Sequence, residues 1–382
     1  MRRAPYAMVV ALVLVRFADE WATYLPAGAL EPIRGELGLS YAQAAMMLTA
    51  LPAGGILGNL FVVAADHVSR RWLASLGALA YGLALIAFGL AHSLPTLLIA
   101  GFVWGAASDA FVHGCEVALV DLAGDDLPKT LARMHGWAAV GDLLGPLTLA
   151  AGAVLGFGWR GAFLALGAAM LGYALWIASQ KLPPPHPSEH RPSALASVLA
   201  IARDRRVLFL AVVLGLFSLL DEPLLGFLVA YLERVRHLSA ALAAAPILGI
   251  LVGGMAGYGA YERLTGGLVR RRVIVLSALV MAVTLAITVF APWLALQTLA
   301  GAGFGASAAI FYTTYDAMVL ALRPGQAGAT SAVVSTVGMI GIGFPALVGL
   351  AADAWGLAPA IGLYAVIPVL VLALVAADRR SG

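Results

Sequence analysis

Two adjacent acid pairs, Asp19-Glu20 and Asp221-Glu222, interrupt apolar segments of this chain and lie 202 positions apart. Charged side chains inside a bilayer cost free energy and usually serve a function. Charges repeated at equivalent places in two halves of a chain are typical of a binding site that both halves share near the middle of the membrane. The acid pairs therefore predict a site for something positively charged. Two further charges recur at the same offset, with Glu31 matching Glu233 and Arg34 matching Arg236.

Arg16 precedes the first acid pair by three and four residues, so it can pair with either carboxylate on one face of a helix. It could hold one carboxylate ionised while the other exchanges protons, because a low dielectric favours the neutral form of a carboxyl group. A purely structural, self-neutralising triad is the alternative. In the second half Ser218 takes the place of Arg16, and Pro223, directly after the second pair, predicts a kink in that helix.

Asp109, His113 and Glu116 are spaced i, i+4 and i+7, which places them along one face of a helix. This spacing suits a proton relay, and it equally suits a metal site built from imidazole and carboxylate groups. A histidine that only packs inside a helix bundle is the alternative. Asp142 adds a carboxylate near the middle of the next predicted helix, and we assign it to the same proton-coupling set.

The composition indicates a membrane protein with many spans. Of 382 residues, 62% are hydrophobic and only 11% are charged, whereas a soluble globular protein carries about 25% charge. Many apolar runs reach the length of about 20 residues that a helix needs to cross a bilayer. The single cysteine, Cys115, excludes a framework of disulfides within the chain. We therefore expect an all-α membrane protein.

The apolar runs predict twelve helices, and a proline-rich segment divides them into six and six. Proline blocks helix continuation and favours an extended linker, so we place an N-terminal bundle at residues 1–180, a cytoplasmic linker at 181–206 and a C-terminal bundle at 207–382. The predicted helices lie at roughly 6–30, 41–63, 72–92, 94–122, 131–156, 159–180, 207–232, 240–262, 270–291, 293–322, 326–352 and 357–377.

The distribution of basic residues predicts the orientation. Lysine and arginine accumulate on the cytoplasmic side of membrane proteins. With the N-terminus inside, eighteen of the 23 lysines and arginines fall on the cytoplasmic side, four fall outside, and Arg16 lies within the membrane. Both termini should therefore be cytoplasmic, which requires an even number of spans.

Glycines also repeat between the halves, and repeated glycines indicate similar close packing of helices. At an offset of 200, the repeated positions are Gly101 with Gly301, Gly105 with Gly305 and Glu116 with Asp316.

Three segments carry recognisable sequence patterns as well. The stretch A-A-D-H-V-S-R-R contains Asp66, Arg70 and Arg71, and the stretch G-D-L-L-G-P-L-T-L-A contains Gly141, Gly145 and Pro146. The chain also reads G-W-R-G-A-F from position 158.

With these features the chain resembles the major facilitator superfamily of secondary transporters over nearly its whole length. The first stretch is similar to the family's G-x-x-x-D-R-x-G-R-R, with Val62, His67 and Ser69 replacing three of its residues. The second resembles the antiporter-associated G-x-x-x-G-P-x-x-G-G without its last two glycines. The resemblance implies two six-helix bundles around a central cavity lined by helices one, four, seven and ten. It also implies proton-coupled efflux, and gating roles for the residues of both motifs. Arg70 and Arg71 can also be explained as charges that set the topology.

The charges on the predicted cavity helices favour a cationic substrate. Eight acids face one permanent cation, Arg16, whereas an anion-binding site would normally offer several basic residues. Aromatic residues there, among them Tyr24 and Tyr312, could add cation–π contacts to an organic cation. The eight acids are Asp19, Glu20, Asp109, Glu116, Asp142, Asp221, Glu222 and Asp316.

These observations predict a proton-coupled transporter that exports a cationic or zwitterionic small organic compound by alternating access. A divalent-metal transporter that uses Asp109, His113 and Glu116 is one alternative, and a membrane sensor or scaffold without transport is another. We expect no enzyme activity, because no nucleophile–base motif stands out, and an ion gradient as the driving force, because no Walker-type ATP-binding loop occurs. We expect no nucleic-acid partner. We further expect no cofactor beyond a proton gradient, a monomer, and a location in a bacterial inner membrane.

Overall fold

The computed structural model describes residues 6–64, 69–123, 127–182, 201–322 and 327–378. These residues form α-helices and one 3-10 helix, without a β-strand. The first compact unit spans residues 1–190 and the second spans residues 191–382. The helices of the first unit are α1 (Tyr6–Val13), α2 (Val15–Thr23), α3 (Leu25–Gly28), α4 (Leu30–Leu37), α5 (Tyr41–Ala64), α6 (Arg70–Gly89), α7 (Leu94–Ala123), α8 (Leu127–Leu155) and α9 (Gly158–Ser179).

The second unit repeats this plan with two interrupted helices. Its described helices are α10 (Arg205–Ser218), α11 (Glu222–Arg234), α12 (Ala240–Thr265), α13 (Arg270–Phe290), α14 (Leu294–Ala321), α15 (Ala327–Gly338), the 3-10 helix Met339–Gly343, α16 (Phe344–Trp355) and α17 (Leu357–Ala377).

The observed helices account for the twelve predicted ones, and the all-α fold is confirmed. Ten spans in the described part of the chain are long and apolar enough to cross a membrane. The other two of the twelve correspond to the α1–α4 series and to α5. The first differs from its prediction, because it divides into four short helices and continues to Leu37, where Gly38 ends it with a left-handed backbone (φ 64°). Pro26, in the first turn of α3, lies at one of these divisions.

The predicted kink in the seventh helix is confirmed. Helix α10 ends at Ser218 and α11 begins at Glu222, with Pro223 in its first turn. Proline has no backbone N–H and is tolerated in the first turn of a helix but not in its interior, so it marks a restart. The break places the acid pair Asp221-Glu222 at the start of α11 instead of in the middle of a continuous helix.

Glycines bring equivalent helix pairs together in both units, as the sequence repeat predicts. In the first unit α5 and α7 pack so closely that a Cβ atom on Gly105 would overlap the carbonyl oxygen of Leu51. In the second unit a Cβ atom on Gly305 would overlap the carbonyl oxygen of Ile250, where α12 meets α14. Backbone contact of this kind needs glycine, because any side chain would push the helices apart.

Replacing Gly105 with alanine should therefore destabilise the first unit. The added methyl group meets backbone rather than a movable side chain, and overpacking of this kind costs about 1–3 kcal/mol. We expect a clear fall in the melting temperature of the detergent-purified protein. Gly172→Ala is the matched control, because a Cβ atom there meets nothing within 4 Å. Equal melting temperatures for the two variants would contradict the close-packing interpretation.

A carboxylate joins three helices at the end of the first unit that carries the α6–α7 turn. Glu36 accepts hydrogen bonds from Trp159 Nε1 (2.6 Å) and Arg160 Nε (2.7 Å). Arg160 also donates to the carbonyl oxygen of Gly89 at 2.7 Å. The cluster therefore fixes the end of α4 against the start of α9 and the end of α6.

Glu36 should make the stability of the first unit depend on pH. The hydrogen bond from Arg160 lowers the pKa of this carboxyl below its ordinary value of 4.5. A lowered pKa means that the contribution is present above pH 4.5 and disappears as the pH falls through the lowered value. We expect the melting temperature of the wild type to fall more steeply than that of Glu36→Gln below pH 4.5. Parallel melting curves for the two proteins across this range would show that the pair contributes nothing.

Candidate functional site

Helix α2 carries the predicted Arg16, Asp19 and Glu20 on one face, and the strongest partner of Arg16 lies elsewhere in the chain. Its Nε atom donates to Glu116 Oε1 on α7 at 2.6 Å. One of its terminal nitrogens, Nη1, lies 4.0 Å from Asp19 Oδ2 and 3.9 Å from Glu20 Oε1. The local pairing predicted from the sequence is therefore present but long, and a charge-assisted hydrogen bond between helices is shorter and stronger.

Asp19 has a hydrogen-bond partner that the sequence reasoning missed. Ser108 Oγ, on α7, donates to Asp19 Oδ1 at 2.6 Å, and Asp19 is only 8% exposed. The hydroxyl of Tyr81 on α6 donates to the backbone carbonyl oxygen of Asp19 at 3.3 Å. The one available signal was that Ser108 precedes the predicted relay residue Asp109. These contacts hold α2 at a fixed position against α6 and α7.

Asp109 lies where two glycines of α5 leave space for it. A Cβ atom on Gly58 would overlap the Asp109 carboxylate, and one on Gly55 would lie 3.3 Å from Oδ2. A carboxylate at a close helix–helix contact is compatible only with such small residues. Glycines at these two α5 positions thus belong to the site, although the sequence alone did not single them out.

His113 completes the cluster on α7. Its Nδ1 lies 3.7 Å from Glu116 Oε2, on the opposite carboxylate oxygen from the one that Arg16 contacts. Glu116 therefore lies between a permanent cation and an imidazole that can gain a proton. We call the set of Arg16, Asp19, Glu20, Ser108, Asp109, His113 and Glu116 the α2–α7 cluster.

Helix α8 packs directly on the charged segment of α2 through its predicted motif glycines. A Cβ atom on Gly141 would lie 2.5 Å from the carbonyl oxygen of Phe17, and one on Gly145 would lie 2.8 Å from Tyr24 Cβ. Tyr24 is 5% exposed within its unit. Trp21 Nε1 also donates to Thr148 Oγ1 of α8 at 2.7 Å, a contact that the sequence did not predict.

The two other predicted residues of this segment, Pro146 and Asp142, also lie on α8. Pro146 is buried inside α8, and Asp142 is half-buried there. The motif meets the acid pair of α2 at Glu20, whose Cβ would lie 3.2 Å from a Cβ atom on Gly141. Its role in gating, and that of Tyr24 in substrate binding, stay predictions.

The motif of Asp66, Arg70 and Arg71, which we predict to be cytoplasmic, is described only in part, because Asp66 lies outside the described residues. Arg70 is buried at the start of α6, at 4% exposure. Arg71 Nε donates to the carbonyl oxygen of Ala178 at 2.7 Å and so joins the start of α6 to the end of α9. In the second unit Arg271 Nη2 donates to the carbonyl oxygen of Ala376 at 3.0 Å. Because both units make this hydrogen bond, Arg71 has a structural role in addition to its predicted role in gating.

In the second unit, the predicted residues lie on α11 and α14. The break before α11 leaves Asp221 exposed within its unit, and Glu222 is half-buried. On α14, Asp316 is half-buried, one turn after Tyr312, which is 41% exposed. Tyr312 stacks on Phe217 of α10, with 5.7 Å between ring centroids. Acids and an exposed aromatic face thus occur in the same unit.

The geometry of the described residues does not support the alternative of a metal site. Among the residues that the structure describes, no group of three or more histidine, cysteine, aspartate or glutamate side chains is arranged to hold a metal ion. The direct contact of Glu116 is with the Arg16 guanidinium, and a cation at this position competes with a metal for the same oxygen.

The comparisons with known proteins identify the family. The sequence profile of the Major Facilitator Superfamily matches residues 12–344. A crystal structure of a bacterial homolog to the human lysosomal transporter Spinster, inward-facing and occupied, is similar with a TM-score of 0.73 and 18% identity, over 98% of this chain and 96% of that one. A crystal structure of the nucleoside transporter NupG is similar with a TM-score of 0.77 and 12% identity, over 97% and 98%. The search of curated proteins gave no match. The chain belongs to the Major Facilitator Superfamily and is an integral membrane protein with its transporter fold.

Proposed function

We propose that this protein is a proton-coupled secondary transporter that exports a cationic or zwitterionic small organic compound by alternating access. One observation carries the proposal. In the α2–α7 cluster a single guanidinium, that of Arg16, serves three carboxylates within 4.0 Å, with Glu116 closest. The fourth acid, Asp109, lies on the same helix as Glu116. The cluster thus has more acids than bases.

The excess of carboxylates favours a positively charged ligand. Four acids and one permanent cation leave a negative charge when all are ionised, and partial burial strengthens the attraction for a cation or for protons. A zwitterion could in addition place its own carboxylate on Arg16. An anion with several charges would meet repulsion from most of the cluster.

The alternative partners of Arg16 support proton coupling. Protonating Glu116 would remove the charge that holds Arg16 Nε at 2.6 Å. A shift of about 1 Å would then bring Arg16 Nη1 from 4.0 Å to hydrogen-bonding distance of Asp19. His113, 3.7 Å from Glu116, could deliver or receive the proton. Because Arg16 lies on α2 and Glu116 on α7, the change of partner would change how these helices are held together, as a two-state transport cycle requires.

The second unit supplies chemistry for an organic cation. An exposed aromatic ring attracts a cation over its face, most strongly where water is excluded. Tyr312 offers such a ring, and Asp316 follows it by one turn. The similar structures are named as a lysosomal-transporter homolog and a nucleoside transporter. At 18% and 12% identity these likenesses show the fold, and they agree with transport of a small molecule without naming one.

Transport in proteoliposomes tests the proposal. With an imposed pH gradient, we expect uptake or release of at least one organic cation from a panel, abolished when the gradient is dissipated. A second panel of divalent transition metals examines the alternative substrate, and a thermal-shift screen with the same metals shows whether any of them binds. Gradient-driven flux of a metal with strong stabilisation, and none of any organic compound, would refute the proposal.

A further inference from the structure

An open groove of about 610 Å³ runs along the surface of the first unit between α6 and α7. Its volume lies within the range of roughly 300–1,000 Å³ that is usual for ligand pockets. Its walls are alanines and long aliphatic side chains, and one end carries polar residues. The lining residues are Ala80, Leu83, Ala84, Ala87, Leu90, Ala91, His92, Ser93, Thr96, Ile99, Ala100 and Val103.

We propose that this groove binds one acyl chain of a membrane glycerophospholipid, with the phosphate of the lipid at the α6–α7 turn. Along α6 the groove extends from Ala80 to Leu90, about 15 Å at a rise of 1.5 Å per residue. That length is half of the hydrocarbon core of a bilayer, which is about 30 Å thick. The groove therefore has the depth of one leaflet.

The polar end of the groove suits a phosphate group. His92, Ser93 and Thr96 are exposed there. The hydroxyls of Ser93 and Thr96 lie 3.0 Å apart, and Thr96 donates to the carbonyl oxygen of Ser93 at 2.7 Å, so His92 is the main donor that the groove itself offers. The guanidinium of Arg160, which also holds Glu36, adds a positive charge beside it, with Nη2 3.4 Å from His92 Nδ1. Basic groups at one end and apolar walls along the rest match the two parts of a phospholipid. A free phosphate ion would use only the polar end, and a hydrocarbon without a headgroup would use only the walls.

The second unit provides an internal comparison, because α13 and α14 repeat α6 and α7 at an offset of 200. Three of the alanines that line the groove are replaced there by larger residues, and the polar residues of the turn by apolar or ring-containing ones. The groove thus differs in its lining from the equivalent face of the second unit. Its positions Ala80, Ala84, Ala87, Leu90, His92, Ser93 and Thr96 correspond to Val280, Thr284, Ile287, Phe290, Pro292, Trp293 and Leu296.

Photo-crosslinking tests the proposal in the full-length protein. The protein is reconstituted into vesicles of phosphatidylcholine with a small share of phosphatidylglycerol that bears a diazirine on its acyl chain, and adducts are mapped by mass spectrometry. We expect about tenfold more adducts on the α6–α7 groove than on the α13–α14 face, a difference of about 1.4 kcal/mol. The α13–α14 face is the matched control because it meets the same bilayer. Equal labelling of the two faces would overturn the proposal.

Two sets of variants separate the walls from the polar end. Copying the second unit with Ala80→Val, Ala84→Thr and Ala87→Ile should remove the excess labelling of the groove. If that protein fails to fold, His92→Ala gives an independent answer. It should lower the labelling by the phospholipid while leaving the labelling by a diazirine diacylglycerol, which lacks the phosphate, unchanged. Unchanged labelling by both lipids in this variant would mean that only the apolar walls bind, contrary to the proposed phosphate site.

Discussion

Replacing Glu116 with glutamine is expected to uncouple transport from the pH gradient. The amide keeps an oxygen that can accept the hydrogen bond from Arg16 Nε, so the contact between α2 and α7 survives. The amide cannot take up a proton in the pH range of the cell, so the contact of Arg16 with residue 116 no longer changes with pH. We expect gradient-driven flux to fall by roughly tenfold or more, equivalent to at least about 1.4 kcal/mol of activation free energy. Flux driven by a substrate gradient alone should remain.

The control for this experiment is Glu262→Gln, which neutralises an exposed carboxylate near the end of α12. It should behave as wild type in both flux measurements. Asp109→Asn should act in the same direction as the Glu116 variant, because Asp109 belongs to the same cluster on α7. Wild-type proton-driven flux in both amide variants would exclude α7 as the relay.

Neutralising the second acid pair should weaken the binding of a cationic substrate strongly. Two unit charges about 4 Å apart interact by about 4 kcal/mol at an effective dielectric of about 20. The cost of removing the carboxylates and the substrate from water cancels much of this attraction, so we expect a loss of affinity of roughly ten- to a hundredfold. We expect this of Asp221→Asn combined with Glu222→Gln, measured by equilibrium binding to the purified protein. Asp66→Asn, in the predicted cytoplasmic gate, should have a smaller effect.

The same argument gives the sign of the pH dependence. Protons and a cationic substrate compete for the same carboxylates, so affinity should fall as the pH falls. In the double variant this dependence should be shallower, because two competing groups are gone. Tight binding of a multivalent anion that depends on Arg16 would reverse the conclusion. The carboxylates would then act as protonated hydrogen-bond donors, and the excess of acids would not select for cations.

Whether Asp19, Glu20, Asp221 and Glu222 face one shared cavity stays a prediction, since each pair is described within its own unit. Either pair turned towards lipid would contradict it. A cysteine pair at these positions, probed by cross-linking during transport, would measure their approach directly.

The sequence by itself determined the class of the protein, its twelve helices and the repeat between its halves. Each of these rests on local or periodic information. A run of about 20 apolar residues is long enough to span a bilayer, whatever its neighbours are. Glycines repeated at an offset of 200, such as Gly105 and Gly305, predicted the same close backbone contact in both units. Pro223 predicted the interruption of its helix because a missing N–H acts at its own position.

Only the tertiary structure decided the partners within the site. Spacing rules along one helix relate Arg16 to Asp19 and Glu20, and they say nothing about a residue one hundred positions away. The contact with Glu116 depends on how α2 and α7 are rotated and how closely they approach. The same holds for Ser108 with Asp19. Those rotations are set by the packing of all the helices of the unit together, so the choice of Glu116 as the ion-pair partner of Arg16 becomes visible only in the folded protein.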